Sequence, residues 1–293
     1  YNCIMLRLFA DSDCDVTPAI AAEYGYTIIS MPYSVDGKTI YPYQTFEEFD
    51  YKSYYGMLRS GVIPTTSALN EEQYRQYFEP VFAAGDDIFY VHFSRRMSGT
   101  FDAMDHAVEE LKARYPERKF YALDTKGITV LGLIIVREIG DLFKAGKTAE
   151  EVMEWAKTEI DHYALYFFAD NLKFFHRSGR VSGLAATMGG LIGLRPVINM
   201  PEDGSMVSLC TVKGRIPVME KIVEFVEKKG DDVKNHRIII ASTDAMQLAE
   251  QVGGMLKEKF GEDLQIEYVI VNPTAGGHCG PDGVGVAFHS KER

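Results

Sequence analysis

The stretch IFYVHFSRRMSGTFDAMDHAVEELKARY, residues 88–115, decides the fold class. Its first six residues form a short apolar run of the kind that strands use, and residues 101–115 carry apolar side chains at helical spacing. A polar turn, residues 94–100, joins the two. Working outward, residues 6–10 and 120–123 read as further strands, and residues 71–84 and 129–145 as further helices. Strands that alternate with helices in this way predict a parallel sheet covered by helices. Each strand ends in a polar turn, Asp11-Ser12-Asp13, residues 94–100 and Asp124-Thr125, and ligands of open parallel sheets sit at such carboxyl-end turns.

A helix over residues 149–161, opened by the capping pattern Thr148-Ala149-Glu150-Glu151, closes this unit, so an N-terminal α/β domain is expected over residues 1–160. Beyond it the order changes. Residues 163–169 and 195–200 read as strands, and Asp203-Gly204 as the hairpin turn that leads into a return strand, residues 206–212. A helix (216–228), a strand (237–242), a helix (246–260) and a strand (265–271) follow. A Gly-rich turn, residues 276–285, then precedes a last strand, residues 286–289. Residues 161–293 are therefore expected to form a C-terminal α+β domain.

The chain has 293 residues, 46% of them hydrophobic and 25% charged, a balance that allows a large apolar core. A formal net charge of -11 argues against a general nucleic-acid binder, which needs Lys and Arg to neutralise phosphates. Small ligands and proteins remain as partners. Cys3, Cys14, Cys210 and Cys279 have neither a CxxC nor another metal spacing, so no metal site and no disulfide framework is expected. Residues 127–136, the longest strongly apolar stretch, are well short of the roughly 20 that a spanning helix needs. No basic-then-apolar leader precedes Asp11. A cytoplasmic protein with reduced thiols is the expectation.

Three polar turns carry the candidate chemistry: Pro64-Thr65-Thr66-Ser67, Ser98-Gly99-Thr100 and His278-Cys279-Gly280-Pro281-Asp282-Gly283. Ser98-Gly99-Thr100 lies between a strand and a helix, where free N–H groups and hydroxyls can cradle an anion or simply cap the helix. Thr65, Thr66 and Ser67 precede the helix start Asn70-Glu71-Glu72-Gln73 and can equally be loop and cap residues. His278 sits among glycines that let a backbone approach a ligand, and its imidazole can donate a hydrogen bond.

In their order and separations these turns resemble the DegV family of bacterial fatty-acid-binding proteins. The resemblance runs through Asp11-Ser12-Asp13-Cys14-Asp15, Thr66-Ser67, Ser98-Gly99-Thr100-Phe101 and Asp124-Thr125-Lys126. It continues through Leu172-Lys173-Phe174-Phe175-His176-Arg177-Ser178-Gly179-Arg180, Leu194-Arg195-Pro196-Val197 and His278-Cys279-Gly280-Pro281. It implies a two-domain α/β protein with a fatty acid in a tunnel between the domains, its carboxylate held by Thr66, Ser98 and His278. Ser67, Gly99, Thr100 and Gly280 complete the implied ligand-binding set. It further implies a non-catalytic, lipid-presenting subunit of a fatty acid kinase, whose separate catalytic subunit brings ATP. No catalytic residue, metal or cofactor other than the bound acid is then expected, with transient membrane contact and a monomer or weak dimer as the working state.

The chain departs from the family pattern at three places. Ala68, Leu69 and Asn70 stand where relatives usually have a Pro and a Ser, which would reshape the far side of the Thr-Ser turn. The closing Gly-Pro-Gly becomes Gly280-Pro281-Asp282, and Asp282 would weaken affinity if its side chain pointed inward. Leu131 and Leu133 replace usual glycines, which bears on chain-length preference.

The physics permits such a ligand. At about 0.8 kcal/mol per buried methylene, a chain of roughly 14 methylenes offers on the order of 11 kcal/mol before ordering costs, so a C14 to C18 acid is expected. Its carboxylate must then meet convergent donors. The stretch 188–194 (Met188-Gly189-Gly190-Leu191-Ile192-Gly193-Leu194) reads either as tunnel wall or as a buried helix packed through its glycines. Basic residues cluster at Arg95 and Arg96, Arg177 and Arg180, and Lys213 and Arg215; Arg177 and Arg180 flank a Ser-Gly turn suited to docking the kinase.

One rival reading comes from another class. Asp13-Cys14-Asp15-Val16-Thr17 fits the DxDx[TV] pattern of magnesium-dependent phosphohydrolases, with Asp13 as nucleophile and Asp15 as acid/base. Asp86-Asp87 and Asp231-Asp232 do not stand at a strand end, where such an enzyme places its metal-binding acidic pair. No Gly-x-Ser-x-Gly elbow points to a serine hydrolase.

Overall fold

The computed structural model describes residues 3–184 and 193–293. The first half runs β1 (Leu6–Asp11), α1 (Pro18–Tyr24), β2 (Tyr26–Ile29), β3 (Tyr33–Val35), β4 (Lys38–Ile40), α2 (Tyr51–Arg59) and β5 (Thr65–Thr66). It continues with α3 (Glu71–Ala83), β6 (Asp87–His92), α4 (Thr100–Arg114), β7 (Phe120–Asp124), α5 (Val130–Lys144) and α6 (Ala149–Glu159). The second half begins β8 (Tyr163–Phe168), α7 (Leu172–Ser178), β9 (Val181–Ser182), β10 (Leu194–Asn199), β11 (Met206–Lys213) and α8 (Arg215–Lys229). It ends with β12 (Ile238–Ser242), α9 (Met246–Phe260), β13 (Ile266–Ile270), α10 (Pro273–Cys279) and β14 (Val284–His289).

The first half builds a parallel sheet in the order β2-β1-β6-β7. The second builds a mixed sheet in the order β13-β12-β14-β8-β10-β11-β9, with the β10–β11 hairpin turning through residues 200–205. A small antiparallel sheet, β4-β3-β5, pairs Tyr33 with Thr66. The expected helices over 71–84, 101–115, 129–145 and 149–161 are all present to within two residues, the last opened by a capping box between Thr148 and Glu151. One expectation fails. The Gly-rich turn expected over residues 276–285 is shorter than that: Pro273–Cys279 is a helix, started by Asn272, whose side chain accepts the Ala275 N–H, and β14 begins at Val284. The glycines misled the reading because Gly276 and Gly277 are needed for close contact, with a Cβ at Gly276 falling 2.1 Å from the Tyr55 hydroxyl.

Alternation along β8 explains how two cores share one strand. Leu165 and Phe167 join the core that also contains Phe9, Leu133 and Ile135, whereas Tyr166 and Phe168 join the core under α8 and α9 with Ile222 and Leu256. Helix α5 is apolar on all sides from Val130 to Val136 and is buried there, because it lies between the two large sheets. Gly132 permits this: a Cβ there would stand 2.5 Å from the Cys14 sulfur. Gly132→Ala is therefore expected to lower stability by about 1–3 kcal/mol, read as a lower urea midpoint. Leu131 and Leu133, where glycine was expected, are fully buried. No helix among the described residues is long and apolar enough to cross a membrane.

Candidate functional site

A cavity of about 210 Å³ lies where the carboxyl ends of the parallel strands meet the mixed sheet. Its wall is sorted. Ile128, Leu165, Phe168, Ala241 and Val284 make an apolar, buried interior. Thr66, Ser67, Ser98, Gly99 and Arg180, all exposed or half-buried, make a polar rim together with half-buried His278. The carboxyl-end turns after β1 and β6 reach the wall through Asp13 and Ser98; Asp124 and Thr125 do not, being used locally to hold Lys126 and the His92 carbonyl.

Each rim residue is positioned by a distinct local feature. Thr66 is held by β5 pairing and lies 3.2 Å from His278, Oγ1 to Nε2, across a separation of 212 residues. Ser98 accepts the N–H of Thr100, the first residue of α4, at 3.1 Å and lines the cavity at once; its own O–H can donate. His278 rides on α10, which α2 clamps: the Tyr54 and Tyr55 hydroxyls donate to the Pro273 and Val271 carbonyls at 2.5 and 2.6 Å. Burial, helped by the nearby Arg180 cation, pushes the His278 imidazole down to about 4, so it is neutral near pH 7.

Two members of the expected set stand apart from the wall. The Thr100 hydroxyl faces the loop before α3, accepting the Leu69 N–H at 3.1 Å and bonding the Tyr74 hydroxyl at 2.7 Å. It fixes the Thr66 loop against the Ser98 turn rather than facing the cavity. Thr100→Val is expected to cost about 1–3 kcal/mol through the unpaired Leu69 N–H, visible as a lower midpoint in thermal or urea unfolding. Gly280 caps α10 in a left-handed conformation, φ 76°, and a Cβ there would press into the Phe174 ring at 2.4 Å.

The departures are accommodated. Asp282 does not point inward: Arg59 holds it at 2.8 Å and holds Asp244 at 2.6 Å. Asn70 caps α3 reciprocally with Gln73, and Leu69 is buried. Of the basic clusters, Arg95 pairs with Asp105 at 2.5 Å and Arg215 with Asp170 at 3.1 Å. Arg177 and Arg180 are both exposed, and Arg180 also reaches the cavity rim, its Nη1 donating to the Ser178 carbonyl. Most of the proposed wall stretch, residues 188–192, lies outside the described residues.

The family model described as "Uncharacterised protein, DegV family" matches residues 5–291. The chain belongs to the DegV family. A DegV domain-containing protein of Clostridium perfringens is 27% identical to it over 282 residues, 96% of each chain. A DegV lipid binding protein of Thermotoga maritima superposes with a TM-score of 0.84 at 19% identity, covering 99% of this chain and 100% of the other. A stearic-acid-binding protein of Eubacterium ventriosum superposes with a TM-score of 0.86, at 19% identity over 98% of this chain and 99% of the other. These likenesses show a DegV-like fold.

In this DegV chain the paired aspartates of the phosphohydrolase pattern do not face one space. Asp13 lines the cavity, but Asp15 does not: its Oδ1 accepts both the backbone N–H and the side-chain amide of Asn272, each at 2.8 Å. Asp15 thereby anchors the start of α10. Sequence reading missed this role of Asp15, the α2 tyrosine clamp and the place of Arg180 in the rim. The clustered Tyr54-Tyr55 pair was the available signal for the clamp.

Proposed function

We propose that the chain is a carrier for one long-chain fatty acid, held with its tail in the apolar interior and its carboxylate on Thr66, Ser98 and His278, with Ser67 and Gly99 beside them. The carrying observation is the sorting of the cavity, apolar and buried inside, hydroxyl- and imidazole-lined at an exposed rim. That is the layout an amphiphile needs: tail burial supplies affinity, and the hydroxyls and neutral imidazole, beside the exposed Arg180 of the rim, satisfy the head. Solved relatives described as lipid- and fatty-acid-binding support the same ligand class. A C14 to C18 acid is the expected size. The acid lies where a first unit, residues 1–160, meets a second, residues 161–293.

The reading extends to presentation. The head sits at the rim, where a separate fatty acid kinase subunit in the cytoplasm can reach it, and this chain supplies no catalytic group to the phosphoryl transfer. Exposed Arg177 is the docking residue of that reading. Mass spectrometry of lipid released by denaturing the purified protein is expected to recover a near-stoichiometric C14 to C18 acid. Recovery of no lipid, together with no uptake of added palmitate, removes the carrier reading. Arg177→Glu is expected to reduce coupling to a fatty acid kinase while the acid is retained; unaltered coupling removes the docking role.

A further inference from the structure

The polar end of the cavity contains one carboxyl group to which the reading above gives no task. Asp13 stands in the 3₁₀ turn Ser12–Cys14, which Asp11 caps by accepting the Cys14 N–H. The turn is fixed from several sides. Ser12 Oγ accepts the Met31 N–H at 2.8 Å, the Asp13 carbonyl accepts the Thr129 N–H at 2.7 Å, and Asp11 Oδ2 accepts from the Tyr90 hydroxyl and the Phe93 N–H. The backbone that carries Asp13 is therefore fixed beside the wall. It is 5% exposed, lines the cavity, and its Oδ1 is buried with no hydrogen-bond partner among the described residues.

Its two neighbours differ in kind. Asp11 is saturated with donors, and Asp15, although its Oδ2 is also unpaired, is tied to Asn272 and does not reach the cavity. The groups that act on the Asp13 carboxyl come from every side. Asp11, Asp15 and the Cys14 thiol lie on its own segment, Arg180 follows α7, and the Cys279 thiol lies on α10 near His278. Thr129 and Ile128, which precede α5, are uncharged. Burial first, then the Asp11 and Asp15 carboxylates, push Asp13 well above the usual carboxylate range, against the lone opposing pull of Arg180. A neutral carboxylic acid carries a hydrogen that needs an acceptor, and a buried one left without it is costly. Met31, whose N–H the neighbouring Ser12 accepts, in turn accepts the Thr274 hydroxyl at 2.7 Å, so the Asp13 turn stands against α10, the helix that carries His278.

We propose that Asp13 is a further binding group for the ligand head, a neutral carboxylic acid that donates its hydrogen to the fatty-acid carboxylate alongside Thr66, Ser98 and His278. Acid and carboxylate then share one proton in a short, charge-assisted O–H···O bond. The inference rests on the fatty-acid reading of the cavity and adds a pH dependence to it. Ionising Asp13 removes a donor and sets a like charge beside the ligand, so affinity falls about tenfold per pH unit once the ligand-free protein has lost that proton.

The test is the affinity of the delipidated full chain for palmitate from pH 6 to pH 9, in wild type, Asp13→Asn and Asp13→Ala. The amide of Asp13→Asn still donates but does not titrate, so this variant is expected to bind about tenfold more tightly than Asp13→Ala at pH 6, with an affinity that falls less steeply with pH than that of wild type. Wild type is expected to lose affinity relative to Asp13→Asn as pH rises through the range. Parallel profiles for wild type and Asp13→Asn, flat ones included, overturn the assignment, as does Asp13→Ala matching wild type at pH 6. Palmitate binding by wild type with an inert Asp13 leaves the carrier reading standing. No palmitate binding by wild type at any pH sinks that reading and this inference with it.

Discussion

Thr66→Ala combined with Ser98→Ala is expected to weaken fatty-acid binding by about 10²- to 10⁴-fold while the protein stays folded. Each hydroxyl supplies a hydrogen bond to a charged group, worth about 1.5–3 kcal/mol, and every 1.4 kcal/mol is about tenfold in the dissociation constant. The expectation of an intact fold follows from what the hydroxyls touch. Among the described residues the Thr66 hydroxyl meets the His278 ring, and the Ser98 hydroxyl accepts the Thr100 N–H at a half-buried site. The apolar wall is untouched, so the residual affinity should keep its dependence on tail length, up to about 0.8 kcal/mol per methylene. Palmitate and decanoate titrations of the double variant check both parts. A double variant that binds palmitate like wild type places the head elsewhere.

Asp15→Ala is expected to lower stability by about 2–5 kcal/mol, because the backbone N–H and the amide of Asn272 lose their shared buried acceptor at the start of the helix that carries His278. Asp15→Asn, which keeps an acceptor oxygen, tells a different story through pH. Burial, against the Asn272 hydrogen bonds, holds the Asp15 carboxyl up at about 7, whereas in the unfolded chain it ionises near 3.8. A folded value raised in this direction contributes stability that is full below about pH 4 and is lost as pH rises through about 7. Asp11, pushed up to about 6 by burial, acts in the same sense. Wild type should therefore lose on the order of 1–4 kcal/mol of its stability between pH 4.5 and 7.5 through Asp15. Asp15→Asn should lose less over the same window, the remainder coming from Asp11 and Asp13. Urea unfolding at three pH values decides this; equal declines in both proteins would show that Asp15 is not the titrating group.

The ease of reading differed sharply between elements. Helices α3, α4 and α9 declare themselves by local means, an Asn70–Gln73 capping box in the first and apolar periodicity in the others, and their bounds were legible to within a residue or two. Segment 18–66 was not legible, because its short strands gain their meaning from partners: β5 is two residues long and exists by pairing with Tyr33 and Ser34. Helix α10 was hidden by its own glycines, which serve contact with Tyr54 and Tyr55 rather than turning the chain. The same contrast holds in the site. Thr66, Ser98 and His278 stood out as small polar turns, but Thr100 and Gly280 in those turns are used to brace the loop and to seat Phe174.

What the chain dictates by local chemistry is therefore the alternation of strands and helices, the polar turns at strand ends and the excess of negative charge. Those follow from side-chain period and composition, which neighbours in sequence suffice to express. Tertiary structure alone decided that Thr66 and His278 meet across 212 residues, that Arg180 enters the rim while Arg177 faces solvent, and that Asp15 is a brace whereas Asp13 borders the cavity. The reason is that a side chain's protonation and use depend on burial and on partners brought from distant segments, and neither is written in the residues beside it.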